Sequence, residues 1–231
     1  MATSRRQLAL QLVPPRRWGG RRAGAGRKPV GERAGLPHAT RAALAARHPA
    51  HVTLRVRPDV PSLRSVRLVR AFERSVAQAC ERGDFRVVQY SLQSNHVHLL
   101  VEAAHRDALA RGMIAIGSRL ARAVHRVFER PGPVLADRYH VRVLKTPREV
   151  RNALRYVLLN ARRHARRLAG RVLLDPASSA RWFDGWRRDD GGRDGVVSLD
   201  PRPVARARTW LLAVGWRRHG LLDPGDVPGP G

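Results

Sequence analysis

The stretch Asn95-His96-Val97-His98-Leu99-Leu100-Val101-Glu102 decides the fold and points at the chemistry. It reads as a β-strand, in which successive side chains point to opposite faces. His96, His98, Leu100 and Glu102 therefore share one face, and Val97, Leu99 and Val101 the other. Two imidazoles presented side by side from a rigid strand make a ready clamp for a divalent metal. The same pattern also suits two half-buried histidines satisfied by hydrogen bonds. The opposite face is apolar throughout and predicts packing against helices.

Working outward, Phe85–Leu92 reads as a second strand. The short Gln93-Ser94-Asn95 turn joins it to the first in a hairpin. Upstream, His51–Arg57 alternates Val52, Leu54 and Val56 against His51, Thr53, Arg55 and Arg57. Between them the spacing predicts a helix over Pro61–Arg82, with Leu63, Val66, Val69, Phe72 and Val76 as an apolar stripe and Gly83 as its stop. Downstream, Arg106–Phe128 reads as a long helix ended by Pro131-Gly132-Pro133, followed by a strand over Val134–Leu144. A third helix runs from Pro147 to Arg167, with Thr146 as its cap and Pro147 in its first turn. The order β-α-β-β-α-β-α makes the fold class α+β. Its first six elements match a ferredoxin-like antiparallel sheet with two helices on one face. The other face is expected to be uncovered and to carry His96 and His98. His51, Arg55, His140 and Arg142 are expected to line it.

On the third helix, Val150, Leu154, Val157, Leu158 and Ala161 form one stripe at the helical period. Asn152, Tyr156, Asn160 and His164 stand four apart on another. Tyr156 is thereby held away from the helix's own apolar face. A tyrosine hydroxyl has a pKa of about 10 and is a poor nucleophile unless helped. A divalent cation can help by stabilising the charge that builds up on a phosphoryl oxygen.

Charge supplies the partner. The chain holds 45 Lys and Arg against 18 Asp and Glu, a formal net charge of +27. Only Lys28 and Lys145 are lysines, so a GC-rich genome accounts for part of the arginine but not for the shortage of acids. Such a field favours polyanions, nucleic acid above all. Residues 1–45 read as a flexible basic arm, rich in Gly and Arg, that adds phosphate contacts and salt dependence without reading sequence. Residues 46–170 hold the predicted sheet and helices. Residues 171–231 are near charge balance and carry four of the five tryptophans, Trp182, Trp186, Trp210 and Trp216. These either bury the extension against the preceding domain or stack on bases, and packing is the preferred reading. A single cysteine, Cys80, excludes an intramolecular disulfide and a multi-cysteine zinc site. No apolar run reaches the length of a membrane span. The expectation is a cytoplasmic, nucleoid-associated protein that does not engage membrane.

Taken together, the pieces resemble the single-tyrosine HUH transposases, most closely the REP-associated tyrosine transposase branch. The matching stretches are His51-Val52-Thr53, Ser94 to Glu102, Asp137-Arg138-Tyr139-His140, Thr146-Pro147-Arg148-Glu149 and Tyr156-Val157-Leu158-Leu159-Asn160. They lie in the family's order and cover about residues 48–168. The resemblance implies cleavage and rejoining of single-stranded DNA beside a hairpin through a 5′-phosphotyrosine link. It implies Tyr156 as nucleophile and His96, His98 and Asn160 as ligands of Mg or Mn; the imidazole pair by itself suits Mn. Candidate DNA contacts are Arg55, Arg57, Arg138, His140, Arg142 and Arg163. Many relatives continue the tyrosine helix into Asn-Pro, whereas Asn160 is followed by Ala161-Arg162-Arg163-His164. Whether the protein acts as monomer or homodimer, with its tyrosine in cis or trans, is open at this point. So are two other readings: a catalytically idle, structure-selective DNA-binding protein, and a different His-x-His phosphoesterase that recruits Glu102 and His51 as further ligands.

Overall fold

The computed structural model describes residues 44–164, 174–187 and 201–226. The basic arm, apart from its last two residues, lies outside them, as does the Asp189–Asp194 stretch. Strand β1 is Ala50–Arg55, helix α1 Val66–Ala77, and the two-residue strand β2 Glu81–Arg82. The β3 (Phe85–Leu92) and β4 (His96–Ala103) pair is the expected hairpin. Helix α2 spans Arg106–Phe128, β5 His140–Val143 and α3 Pro147–His164. The sheet order is β2-β3-β4-β1-β5, with every pairing antiparallel. Strand β4 thus lies between β1 and β3, and β1 lies between β4 and β5. Each helical crossover therefore returns two strands away, which leaves room for an antiparallel neighbour.

Several boundaries differ from expectation; helix α1 stops at Ala77 rather than Arg82, since Glu81 and Arg82 pair with Arg86 and Phe85 as β2. Helix α1 begins at Val66, not Pro61, because the Ser65 hydroxyl accepts from the Leu68 amide and caps it there. Leu63 is spent on the hairpin turn, its amide donating to the Ser94 carbonyl over 2.9 Å. The strand expected over Val134–Leu144 shrinks to His140–Val143. Leu135 makes only an isolated bridge to Val56. The Asp137 carboxylate accepts from the next residue's amide at 2.6 Å, a local bond that competes with a ladder.

The sheet is covered on both faces. Val52, Leu54, Val97, Leu99 and Val101 pack with Phe72, Met113, Ile116 and Leu120 of α1 and α2. On the other side, Leu100 joins a second cluster. It contains Val150, Leu154, Val157 and Leu158 of α3, together with Trp186, Leu211, Leu212, Trp216 and Leu222. The expectation of an uncovered face is thus corrected. Leu100 sits on that face among polar residues, and α3 lays its apolar stripe there together with the apolar residues of the C-terminal extension. Burying each large side chain contributes roughly 1.5–3 kcal/mol. Trp182, Trp186 and Trp216 are buried; only Trp210 is exposed, at 49%. Three of these four tryptophans are therefore packing residues. Helix α4, Trp210–Ala213, begins at the Thr209 cap. Among the described residues no helix is long and apolar enough to cross a membrane.

Candidate functional site

The register of β1 against β4 and β5 assembles the site. Thr53 lies opposite His98, Arg55 opposite His96, and His51 opposite Leu100. On its other edge β1 sets Thr53 opposite His140 and His51 opposite Arg142. Directly paired residues share a face. One face therefore carries His51, Thr53, Arg55, His96, His98, His140 and Arg142.

The two strand imidazoles are held so that the same atoms converge. His98 Nε2 stands 2.9 Å from His96 Nε2. The far nitrogen of each ring is engaged. His96 Nδ1 lies 2.7 Å from Asn95 Oδ1. His98 Nδ1 lies 3.1 Å from His51 Nε2 and 3.2 Å from Thr53 Oγ1. His98 is only 4% exposed. Burial, followed by the charges of His51 and His96, pushes its pKa down to about 2. Burial, followed by the charges of His140, Arg142 and His96, pushes that of His51 down to about 4. Both rings are neutral at pH 7, the state in which imidazole binds a metal.

Helix α3 closes the site. Its start is fixed by a capping box. The Glu149 amide donates to Thr146 Oγ1 over 3.2 Å, and Glu149 Oε2 accepts from the amides of Thr146 and Lys145 at 3.0 and 2.8 Å. The apolar stripe then seats the helix on Leu100, which turns Tyr156 toward the histidines. The Tyr156 ring centroid is 5.0 Å from that of His98 and 5.7 Å from that of His51, both edge-on. Asn160, one turn further on, is 2% exposed, and its Oδ1 is buried without a hydrogen-bond partner. With Ala161 rather than proline after it, the helix runs on to His164.

Tyr156 is thus in ring contact with both His98 and His51. Tyr90 is buried, donates to Glu73 over 2.9 Å, and has its pKa raised by burial and by Glu73. Tyr139 packs against the first core cluster.

The residues fit a divalent ion. Two imidazole nitrogens bound side by side, each at about 2.1 Å, stand about 3 Å apart, and the two Nε2 atoms are 2.9 Å apart. A neutral amide oxygen that is buried and unpartnered is a suitable third ligand for a hard cation. Among the described residues no group of three or more His, Cys, Asp or Glu converges as a metal site. The candidate donors are the two imidazoles, with the Asn160 amide as the third that the sequence offers.

Glu102 is a different matter. It is 2% exposed and saturated. It accepts from Arg86 Nη1 at 3.0 Å, from the Thr209 amide and hydroxyl at 2.8 and 2.7 Å, and from the Arg208 amide. It ties the C-terminal extension to the sheet and is not available as a ligand. His51 is not a ligand of the same ion either. It meets His98 at Nδ1, while the nitrogen that faces His96 is Nε2. The structure thus corrects the Glu102 and His51 ligand set of the phosphoesterase reading.

The remaining candidates divide. Arg55, Arg138, His140 and Arg142 are exposed around the site. Arg57 is exposed and paired with Asp59 at 3.1 Å. The Arg163 side chain lies outside the described residues. Asn95 and Thr53 were present in the sequence motifs without a role. Thr53 was legible as a residue in phase with His51 and Arg55, but its place opposite His98 depends on register.

A histidine pair on a central strand, faced by a tyrosine from a helix of the same chain, is an arrangement that can support phosphoryl-transfer chemistry. Residues 47–157, just under half of the chain, match the family described as Transposase IS200 like. The matched segment includes His51, His96, His98 and Tyr156 and ends before Asn160. Among solved structures the chain is similar to a REP-associated tyrosine transposase bound to a REP hairpin. The identity is 11% and the TM-score 0.44, over 56% of this chain and 75% of that one. It is also similar to a candidate transposase of Deinococcus radiodurans R1, with 14% identity and a TM-score of 0.37, over 48% of this chain and 87% of that one. No curated protein matches the sequence significantly.

Proposed function

We propose that the protein cleaves and rejoins single-stranded DNA beside hairpins, with Tyr156 as nucleophile and a divalent ion, Mg or Mn, held by His96, His98 and Asn160. The observation that carries this reading is the edge-on packing of Tyr156 against His98, 5.0 Å between centroids within one chain. That packing supports action in cis. The ion, when bound, supplies Lewis-acid stabilisation of the phosphoryl charge. Tyr156 supplies the attacking oxygen: its Oη–P bond forms as the P–O3′ bond breaks. The phenol gives up its proton and the departing 3′ oxygen gains one. One phosphodiester is exchanged for another, so the 3′-OH can reverse the step at the same end or a new one. The strand and helix hold the reacting groups in a fixed relation, which lowers the entropic part of the barrier. Arg55, His140 and Arg142 lie on the same sheet face and are the groups proposed to hold the flanking phosphates. Arg57, Arg138 and Arg163 are proposed as further contacts, and the nucleoid as the place of action.

The test uses end-labelled hairpin oligonucleotides with single-stranded flanks and Mn²⁺. The unaltered chain is expected to form a covalent adduct that survives denaturing gels. Tyr156→Phe keeps the ring and its packing, so folding and DNA binding should persist while adduct and cleavage disappear. Cleavage by the Phe variant at the normal rate would refute the assignment. The idle DNA-binding reading is favoured if the unaltered chain binds the hairpin but never forms an adduct.

A further inference from the structure

We propose that His51 is a positioning residue: it accepts a hydrogen bond from His98 Nδ1–H, fixes the tautomer that leaves His98 Nε2 free, and braces the Tyr156 ring. The inference deepens the function proposed above and rests on reading His96 and His98 as ligands.

The geometry comes from strand register. Thr53 stands directly opposite His98, and His51, two residues back on the same face, is its diagonal neighbour. Both reach the same nitrogen, at 3.2 and 3.1 Å. An imidazole bound to a metal through one nitrogen must carry its proton on the other, and that proton needs an acceptor. On β4 itself His96 finds one in Asn95. His98 is nearly buried and has no such neighbour in its own turn, so β1 provides it. A threonine hydroxyl can either donate to or accept from an imidazole, so Thr53 alone leaves the tautomer of His98 undetermined. A neutral His51 that carries its proton on Nδ1 would offer only a lone pair at Nε2, and that is the tautomer proposed for it.

The second contact gives His51 a role that a simple acceptor would lack. Its ring meets Tyr156 edge-on, 5.7 Å between centroids, and it is tilted 42° against His98 at 5.1 Å. One side chain on a central strand therefore touches both the proposed ligand and the proposed nucleophile. Removing the ring takes away the acceptor and the wall together.

The experiment uses the full chain with ¹⁵N-labelled histidine. The variants are His51→Leu and His51→Gln, the latter retaining a carbonyl oxygen as acceptor. On the metal-free protein, two-bond ¹⁵N–¹H spectra read the tautomer of His98. Calorimetric titration with Mn²⁺ reads the ion separately from any turnover. His98 should carry its proton on Nδ1 in the unaltered chain and in His51→Gln, and should become a tautomer mixture in His51→Leu. Mn²⁺ affinity should fall about 10- to 100-fold in His51→Leu and recover most of that in His51→Gln, as loss of an outer partner of a ligand does. An unchanged His98 tautomer in His51→Leu overturns the proposal, as does an equal loss of affinity in both variants. If His51→Leu does not fold, a His98 that carries its proton on Nε2 in the unaltered chain and in His51→Gln overturns it, and one on Nδ1 in both supports it. Failure of the unaltered chain to bind Mn²⁺ would strike the metal reading instead, while the tautomer still decides the role of His51.

Discussion

Replacing Asn160 with alanine separates a ligand from a packing residue. In the metal-free protein the side chain is 2% exposed and its Oδ1 lacks a partner. Such a group carries a desolvation penalty of about 1–3 kcal/mol. Truncation removes the penalty but opens a void the size of about three heavy atoms, which costs about 1 kcal/mol. The two effects nearly cancel. The metal-free melting temperature should therefore move by no more than about 2–4 °C, the shift that accompanies about 1 kcal/mol in a chain of this size. Binding of an ion at a hundred times its dissociation constant adds about 2.7 kcal/mol to the unaltered protein, or about 5–11 °C. If loss of the amide weakens binding about a hundredfold, the same Mn²⁺ concentration leaves the variant with about 0.4 kcal/mol, or roughly 1 °C. Thermal unfolding with and without Mn²⁺, for both proteins, reads all four values. An equal Mn²⁺-induced rise in both would remove Asn160 from the site. A metal-free fall of more than about 10 °C would show that the amide is a structural group.

Other outcomes follow from the same contacts. Glu102→Ala takes the nearer carboxylate from the half-buried Arg86, which keeps Glu81, and unties Thr209, so it should destabilise by about 3 kcal/mol while leaving Mn²⁺ affinity unchanged; loss of Mn²⁺ binding would restore Glu102 as a ligand. Glu149→Ala removes the capping box of α3 and should lower stability by about 1 kcal/mol at neutral pH. Hydrogen bonds from the Lys145 and Thr146 amides hold Glu149 below the usual carboxylate range. Its contribution is thus present above the unfolded carboxyl value and fades as pH falls through the lowered folded value. Urea unfolding should show the two proteins converge in acid, and a gap that widens there would contradict the assignment. Gly112→Ala and Gly117→Ala should differ in sign although both lie inside α2. A methyl at Gly112 runs into the Phe85 ring, whereas at Gly117 it meets only the mobile end of Leu135 at 3.1 Å. The first should destabilise by about 1–3 kcal/mol. The second should gain up to about 1 kcal/mol of helix propensity, and equal melting temperatures would refute the distinction.

Periodicity alone made much of this protein legible. A period of two set His96 and His98 on one side of a strand and Val97, Leu99 and Val101 on the other. A period near four set Tyr156 and Asn160 on one stripe of α3. The Thr146 to Glu149 spacing announced where that helix begins, and the bounds of α2 are those expected. These are properties of short segments, in which neighbouring residues fix each other's direction. Tertiary structure decided what covers the histidine face, because the apolar stripe of α3 and the tryptophans of a distant extension compete for the same sheet surface. It decided that Glu102, in phase with the histidines, serves Thr209 and Arg86. It decided that His51 and Thr53 meet His98 at Nδ1, leaving Nε2 turned to His96. None of these can be read from spacing, since each depends on a strand register or on a packing partner distant in sequence: Thr53 and His98 are 45 residues apart, Glu102 and Thr209 107.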